Sequence, residues 1–327
     1  MIKTVSVAPM MDCTDKHEIY FLSLISKNVH FYTEMIVANA IIRGDRDHLL
    51  SFKKISNPVT LQIGGSNPKE LAEACKISEK YGYKDINLNL GCPSKKVQKN
   101  KFGACLMQEP KLVGECIEAM AKSTNLPISI KTRIGYNDVE DLQFLKKFIQ
   151  TTKDAGSKKF IIHARKALLK KLSPKENLNI PPLKYDFVYK LKEYFDNDEI
   201  IINGGIKTTN DIKDHLKIVD GTMIGRAIYH SPYFLADIEK EIFKNENVPT
   251  RSEVMENLIP YIHEQTSKGV QLNHIMRHTV GLFHGQNGSR TWKQYLSKNM
   301  CIRNADLQKV NHIMDCVKKT NPISLEG

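Results

Sequence analysis

None of the seven cysteines (Cys13, Cys75, Cys92, Cys105, Cys116, Cys301 and Cys316) pairs with another at C-x-x-C spacing. An odd, scattered set argues against a disulfide framework and a zinc site, and for a reducing compartment. No apolar run approaches the ~18 residues that a bilayer-spanning helix needs. The N-terminal Met1-Ile2-Lys3-Thr4 leads into a strand-like segment and carries no leader pattern. A soluble cytoplasmic protein, bound to no membrane and with no protein partner implied, is therefore expected. Nor does a G-x-G-x-x-G follow the first strand-like segment, which counts against a dinucleotide-binding open sheet.

Acidic residues are missing altogether between Gln265 and Ala305. The same stretch holds Lys268, Arg277, Arg290, Lys293, Lys298 and Arg303, with His274, His278 and His284. A solvated helix face mixes signs, so a one-signed stretch of this length favours a phosphate-binding surface. Two shorter basic runs precede it: Lys95, Lys96, Lys99 and Lys101, then Arg165, Lys166, Lys170, Lys171 and Lys175. The 327-residue chain carries a net charge of +12, with a pI near 9.2, as a protein with a polyanionic partner would.

Eight short apolar segments alternate with helix-like or loop segments: Val5–Ala8, Phe31–Glu34, Val59–Gln62, Ile86–Leu90, Ile128–Lys131, Phe160–His163, Ile200–Asn203 and Thr222–Gly225. Asn67-Pro68 and Glu109-Pro110 are start signals for helices over Lys69–Tyr81 and Lys111–Lys122. Parallel strands joined by right-handed crossovers follow from this alternation. Eight units match a (β/α)₈ TIM barrel, an α/β fold of typically ~250 residues, with a doubly wound sheet as the runner-up. Beyond Ile242 the pattern becomes all-helical, with helices expected over Glu253–Lys268, His274–Phe283, Thr291–Met300 and Leu307–Lys318. The expected organisation is a barrel over residues 1–243 and a helical, phosphate-binding domain over 244–327. Trp292 reads as a core anchor of that domain, flanked by Arg290 and Lys293 as phosphate contacts.

A barrel places function at the C-terminal ends of its strands: Pro9-Met10 ends the first, and polar residues or turn glycines mark the other seven. The fourth is the most informative: after Ile86, Leu88 and Leu90, the strand stops at Gly91-Cys92-Pro93 and presents one thiol. A thiol there can be a nucleophile, a ligand or a proton donor, or pack as a small hydrophobe. Asn203-Gly204-Gly205 and Gly225-Arg226, after strands seven and eight, have the composition of a phosphate cradle. Lys131 ends a buried strand, where an ammonium must be paired or functional. With Gln62 on strand three, this set suggests flavin mononucleotide, whose reduced anion a nearby cation would favour.

The combination Ala8-Pro9-Met10, Thr33-Glu34-Met35, Asn89-Leu90-Gly91-Cys92-Pro93-Ser94, Phe102-Gly103-Ala104, Lys131-Thr132-Arg133, His163-Ala164-Arg165-Lys166, Asn203-Gly204-Gly205-Ile206 and Gly225-Arg226 closely resembles the tRNA-dihydrouridine synthases. Phe160–Ala167, Leu172–Asn177 and Ile180–Leu183 resemble their A-type subgroup. The chain departs from that subgroup at Cys13, where an aromatic is usual, and at Ile19, where an arginine is usual.

The resemblance implies an oxidoreductase that reduces the C5=C6 bond of tRNA uridines, in the D-loop at positions 20 and 20a, with FMN as cofactor and NADPH as electron donor. It implies Ala8, Pro9, Met10, Gln62, Lys131, His163, Asn203, Gly204, Gly205, Gly225 and Arg226 as flavin-binding residues. Cys92 would be the acid that protonates C5 after hydride reaches C6, a role suited to a thiol that stays protonated at neutral pH. Asn89, Arg165, Lys166, Lys175, Arg290 and Lys293 are the expected tRNA contacts, and no metal is expected. Two other readings remain: a flavin-dependent dehydrogenase of a free pyrimidine, and an RNA-binding module on a barrel without activity. The basic tail argues against the first and the intact strand-end set against the second.

Overall fold

The computed structural model describes residues 3–170 and 172–299. Eight parallel strands form a closed barrel: β1 (Thr4–Val7), β2 (His30–Tyr32), β3 (Val59–Gly64), β4 (Asp85–Leu90), β5 (Ile128–Arg133), β6 (Lys159–His163), β7 (Glu199–Asn203) and β8 (Gly221–Ile224). Each strand pairs with the next, and β8 returns to β1 with Thr4 opposite Gly221 and Val7 opposite Ile224. A two-residue segment, Ile36–Val37, adds to the far end of β3. The expected strands are all present, with ends shifted by one or two residues. The backbone ladder runs on past the last apolar side chain in β3 and β5, and stops short of Thr33-Glu34 and Gly225 after β2 and β8.

Helices cover the strand connections. Asn67 caps helix Pro68–Ser78 by accepting from the amides of Lys69 and Glu70, with Pro68 at the first turn where a missing N–H is harmless. Helix Pro110–Ser123 begins on Pro110 in the same way. Thr208 and Asp211 make a reciprocal capping box on helix Thr209–Leu216.

The barrel interior is part apolar and part polar. Ala8, Tyr32, Ile161, Ile201 and Met223 pack together. On β3 to β5 the inward positions carry Thr60, Gln62, Asp85, Asn87, Asn89 and Ser129, all buried. They satisfy one another: Gln62 Nε2 donates to Asn87 Oδ1 at 2.8 Å, Asn87 Nδ2 to Ser129 Oγ at 3.0 Å, and Thr60 Oγ1 to Asp85 Oδ1 at 2.8 Å. The alternating Ile86, Leu88 and Leu90 thus occupy the face of β4 opposite to this network.

By its contacts the chain divides into two compact units. One comprises Met1–Thr14, Val29–Ser51 and Pro58–Gly225, and holds the barrel strands. The other comprises Asp15–Asn28, Phe52–Asn57 and the chain from Arg226 onward, so the first helix of the sequence, Lys16–Ile25, is part of the same unit as the last ones. There, helix Arg251–Ser267 starts on a Thr250–Glu253 capping box. The helix expected over His274–Phe283 is broken into Leu272–Met276 and a 3₁₀ turn, Arg277–Gly281. A Cβ on Gly281 would lie 2.5 Å from the His230 carbonyl oxygen, so this turn packs tightly onto its neighbour. Helix Ser289–Asn299 follows. Trp292 is a core anchor, its Nε1 donating to Thr279 O at 2.9 Å and its ring edge-on to Phe283. The segment Leu307–Lys318, with Cys301, Arg303 and Cys316, lies outside the described residues, as does Lys171.

A buried acid–base cluster also belongs to this second unit. His278 Nε2 lies 3.0 Å from Asp15 Oδ1 and its Nδ1 3.4 Å from Glu18 Oε2, while Arg277 Nη2 pairs with Asp15 Oδ2 at 2.6 Å. Burial works against charge on His278, but the two carboxylates prevail and raise its pKa. Burial likewise opposes ionisation of Asp15, yet His278, the Glu18 amide and Arg277 hold it well below the usual carboxylate range. Ile19, next to Glu18, is buried, so the position where an arginine was expected is part of the apolar packing here.

Candidate active site

The turn after β4 holds Cys92 through backbone bonds on both sides. Asn89 Oδ1 accepts from the amides of Gly91 at 3.2 Å and Cys92 at 3.0 Å, while Asn89 Nδ2 donates to Gln62 Oε1 at 2.7 Å. The carbonyl of Gly91 accepts from Arg133 Nε at 2.8 Å, that of Cys92 from the Ala104 amide at 2.9 Å, and that of Pro93 from Gln98 Nε2 at 2.8 Å. Gly103 permits this closeness: its φ is +75°, and a Cβ there would lie 2.6 Å from the Cys92 carbonyl oxygen. The thiol is half-buried. Burial pushes its pKa up, against the Ser94 amide and the positive charges of Arg133 and Lys131, so the thiol is protonated at neutral pH.

Lys131 lies on β5 opposite Asn89 on β4. Its Nζ donates to Asn203 Oδ1 at 2.9 Å, and Asn203 Nδ2 donates to Met223 O at 2.7 Å. Burial, with a smaller push from Arg133, brings the Lys131 ammonium down to about 7. An ammonium so easily deprotonated lacks the anionic partner that would hold its charge.

After β7 the chain turns through Gly204 and Gly205 at φ of +119° and +74°, a region glycine enters freely. A Cβ on Gly204 would come within 2.7 Å of His163 Cδ2, and one on Gly205 within 2.5 Å of Leu183 Cδ1. Tyr185 Oη donates to Gly204 O at 2.7 Å and fixes the turn. After β8, an ideal Cβ on Gly225 would meet Met10 Sδ at 3.4 Å and Ala8 Cβ at 3.5 Å, ordinary contacts that place these three residues together. The Pro9-Met10 turn is tied by Thr14, whose Oγ1 accepts from the Met10 amide at 2.9 Å.

The strand ends therefore bring together Asn89, Gln62 and Cys92, then Lys131 with Asn203, then His163 with Gly204, then Ala8 and Met10 with Gly225. This geometry offers a half-buried acid, a cation that answers to an anion, and a glycine turn packed closely on His163, Leu183 and Tyr185. Among the described residues no cluster of His, Cys, Asp and Glu suits a metal ion, and no helix is long and apolar enough to cross a membrane.

Sequence comparison gives the site a family. The dihydrouridine synthase (Dus) family model matches residues 6–318. The chain belongs to the dihydrouridine synthase family. It is 46% identical over 314 residues to the tRNA-dihydrouridine(20/20a) synthase of Escherichia coli, covering 95% of this chain and 91% of the relative. It is 48% identical over 296 residues to the protein of that name from Vibrio parahaemolyticus, covering 90% of each. With the Synechocystis protein of the same name it shares 46% over 305 residues, 93% of this chain and 91% of the relative.

Around this dihydrouridine synthase core, the expected RNA contacts fall into different settings. Arg165 Nη1 bonds to the carbonyl of Pro181 within its own loop. Lys166 Nζ pairs with Glu140 at 3.1 Å, and Lys184 Nζ with the same carboxylate at 3.2 Å. Lys95, Lys96, Lys99, Lys101 and Lys175 are exposed, as are Arg290 and Lys293 on helix Ser289–Asn299 and Arg226 on the short helix Arg226–His230. Cys105, expected in a less exposed setting than Cys92, is also half-buried. Its Sγ bonds to Phe102 O, and it packs against Ala104, Ala167 and Leu169.

Several residues that build the site carry no chemical signal of their own in the sequence. Asn87 and Ser129 look like interruptions of apolar strands; Thr14, Gln98, Asn177 and Tyr185 look like surface polar residues. Asn177 is wholly buried, its Nδ2 donating to the carbonyls of Leu168, Leu172 and Ser173 and its Oδ1 accepting from the Leu168 amide. A loop wound on one asparagine has no period to detect, and only the Leu172–Asn177 resemblance pointed there.

Proposed function

We propose that this chain is an FMN- and NADPH-dependent oxidoreductase that reduces the C5=C6 bond of D-loop uridines 20 and 20a of tRNA to 5,6-dihydrouridine. The observation that carries the reading is the Cys92 turn. Its three consecutive carbonyls and two amides are bonded, and its thiol is kept protonated beside two cations. An acid fixed so firmly suits the delivery of a proton to one carbon.

The residues fit the flavin. Gly204 and Gly205 let the turn after β7 pack closely on His163 and Leu183 in a positive-φ conformation, and Lys131 has the lowered pKa of a cation that gains from an anionic neighbour. Ala8, Pro9, Met10, Gln62, Lys131, His163, Asn203, Gly204, Gly205 and Gly225 would hold it, and Arg226, next in the chain, supplies a guanidinium for its phosphate. Reduced flavin supplies a hydride for C6 of the uracil ring. Cys92 Sγ–H then gives its proton to C5, and the cations of Lys131 and Arg133 stabilise the thiolate left behind. A uridine within folded tRNA must be extruded to reach this turn. The exposed basic residues would bind phosphates and set the register of the RNA without reading its sequence.

The test is the purified protein with tRNA that lacks dihydrouridine. A yellow flavin spectrum, NADPH oxidation and dihydrouridine mapped to positions 20 and 20a are the expected result. Turnover of free uridine at a comparable rate would favour a small-molecule dehydrogenase, and a colourless, inactive protein an RNA-binding module. Mapping dihydrouridine in cells with and without the gene identifies the positions independently.

A further inference from the structure

We propose that Gln98 and Arg133 are positioning residues that lock the Cys92 turn and the loop residues 164–170 and 172–184 into one rigid body, so that this loop sets where the thiol stands. The proposal rests on the reading of Cys92 as the proton donor.

Gln98 lies on the short helix Lys95–Lys99 after the turn. Its Nε2 carries two hydrogens and uses both, one on Pro93 O at 2.8 Å and one on Leu169 O at 3.0 Å. The reversed amide would set Oε1 against two carbonyl oxygens, so the donor orientation is fixed by its partners. Arg133 joins the same two segments from the end of β5. Its Nε donates to Gly91 O at 2.8 Å, and its Nη1 to Lys166 O and Asn177 O, both at 3.1 Å. One side chain thus holds the carbonyl before Cys92 and the other the carbonyl after it. Each also holds the loop, which is itself wound on Asn177 and tied to Asn137, whose Oδ1 accepts from the Leu169 amide at 2.9 Å.

The loop carries Arg165, Lys166 and Lys175, so force exerted on it by a bound RNA reaches the thiol through two side chains and five carbonyls. A misplacement of about 1 Å at a reacting group can cost roughly a hundredfold in rate. Two braces on either side of a single residue are the means to prevent it.

The test uses the flavin-loaded enzyme with Gln98→Ala, Gln98→Glu and Arg133→Lys. Three readouts are taken: iodoacetamide alkylation of Cys92 and Cys105 by peptide mass spectrometry across pH 7–10, flavin reduction by NADPH, and dihydrouridine formation against tRNA concentration. In Gln98→Ala, Cys92 alkylation should change severalfold in rate or in its pH midpoint while Cys105 keeps its profile. Flavin reduction should be unchanged, and kcat should fall about tenfold or more with little change in KM. Gln98→Glu, which removes both donors at constant size, should do the same. An unchanged Cys92 profile with unchanged kcat overturns the proposal. So does a change shared equally by Cys92 and Cys105 with a lowered melting temperature, which marks general loosening. If Arg133→Lys fails to fold, the Gln98 pair decides alone. Cys92→Ala run in parallel separates the two readings: if it keeps full turnover, the proton-donor role fails, whereas the alkylation shift still judges the brace.

Discussion

Lys131 Nζ donates to Asn203 Oδ1 at 2.9 Å, joining β5 to β7 past the intervening strand, and Asn203 passes the connection to Met223 on β8. An amide oxygen orients this cation without neutralising it. That leaves the ammonium close to losing its proton in the flavin-free protein, and it makes the site's charge depend on what binds.

The sign of the resulting pH effect is definite. Lys131 titrates at about 7 in the folded protein and near its ordinary 10.5 when unfolded, so between these values the unfolded chain binds the extra proton. Stability of the flavin-free protein should therefore rise as pH climbs from 7 toward 8, and Lys131→Met should lose that rise. Chemical denaturation at several pH values, compared between the parent and the variant, measures it. Loaded with flavin, the parent should show a smaller slope than without it, because an anionic neighbour restores the ammonium's proton affinity.

Cys92→Ala should bind flavin and accept electrons from NADPH as the parent does, while dihydrouridine formation falls by roughly 10²–10⁴-fold, the usual worth of a general acid. Cys105→Ala is the control and should remain active, since its thiol bonds to Phe102 O and packs on the Ala104–Leu169 cluster. Turnover of tRNA by Cys92→Ala at a near-parental rate would remove the proton-donor role.

His278→Gln should destabilise the protein by roughly 3–5 kcal/mol, because it leaves buried carboxylates facing a neutral amide. The raised His278 pKa means its contribution is complete below about pH 6.5 and is lost as pH rises through the folded value. Asp15, held low, contributes above pH 3.8 and loses its contribution only as pH falls through its folded value. Glu18, which burial holds above the usual range against the pull of His278, opposes Asp15 above about pH 4.5. The parent's melting temperature should decline on the alkaline side of this window, and the variant should lack the decline. This slope opposes that of Lys131, so each is read as a difference between variant and parent.

Arg290→Ala with Lys293→Ala should flatten the salt dependence of tRNA binding without altering flavin content. Both side chains are exposed on helix Ser289–Asn299, whereas Trp292 between them is buried and should be left in place. Each lost phosphate contact should reduce the log–log salt slope by somewhat under one unit. An unchanged slope in the folded double variant would assign this helix to packing alone. Truncation before residue 245 is a poorer test, because it strips helix Lys16–Ile25 of partners within its own unit.

The barrel was legible because its signal is repeated eight times: each strand is a short apolar run, and all but the first end in polar residues or glycine where a barrel keeps its chemistry. Cys92, Lys131 and the Gly204-Gly205 turn stood out for a related reason, since a thiol, an ammonium and paired glycines at strand ends have few uses. What escaped was support. Gln98, Asn177 and Tyr185 act on backbone carbonyls of residues 4 to 71 positions away, and no local pattern encodes such a partner. The charge of Lys166 was legible, but its pairing with Glu140 was not, because the two are brought together only by the loops after β5 and β6.

The closing seam between β1 and β8 also bears on how the protein can be made. Thr4–Val7 cannot complete its ladder until Gly221–Ile224 has left the ribosome, and helix Lys16–Ile25 waits for partners in Arg251–Ser267 and beyond. Neither unit can therefore mature from its N-terminus while synthesis continues, as successive domains of a longer chain often do. The nascent chain must carry its first strand paired on one edge only, to His30–Tyr32, and its first helix without these later partners until most of the sequence has emerged, and only then can it take up a cofactor whose proposed ligands run from Ala8 to Arg226.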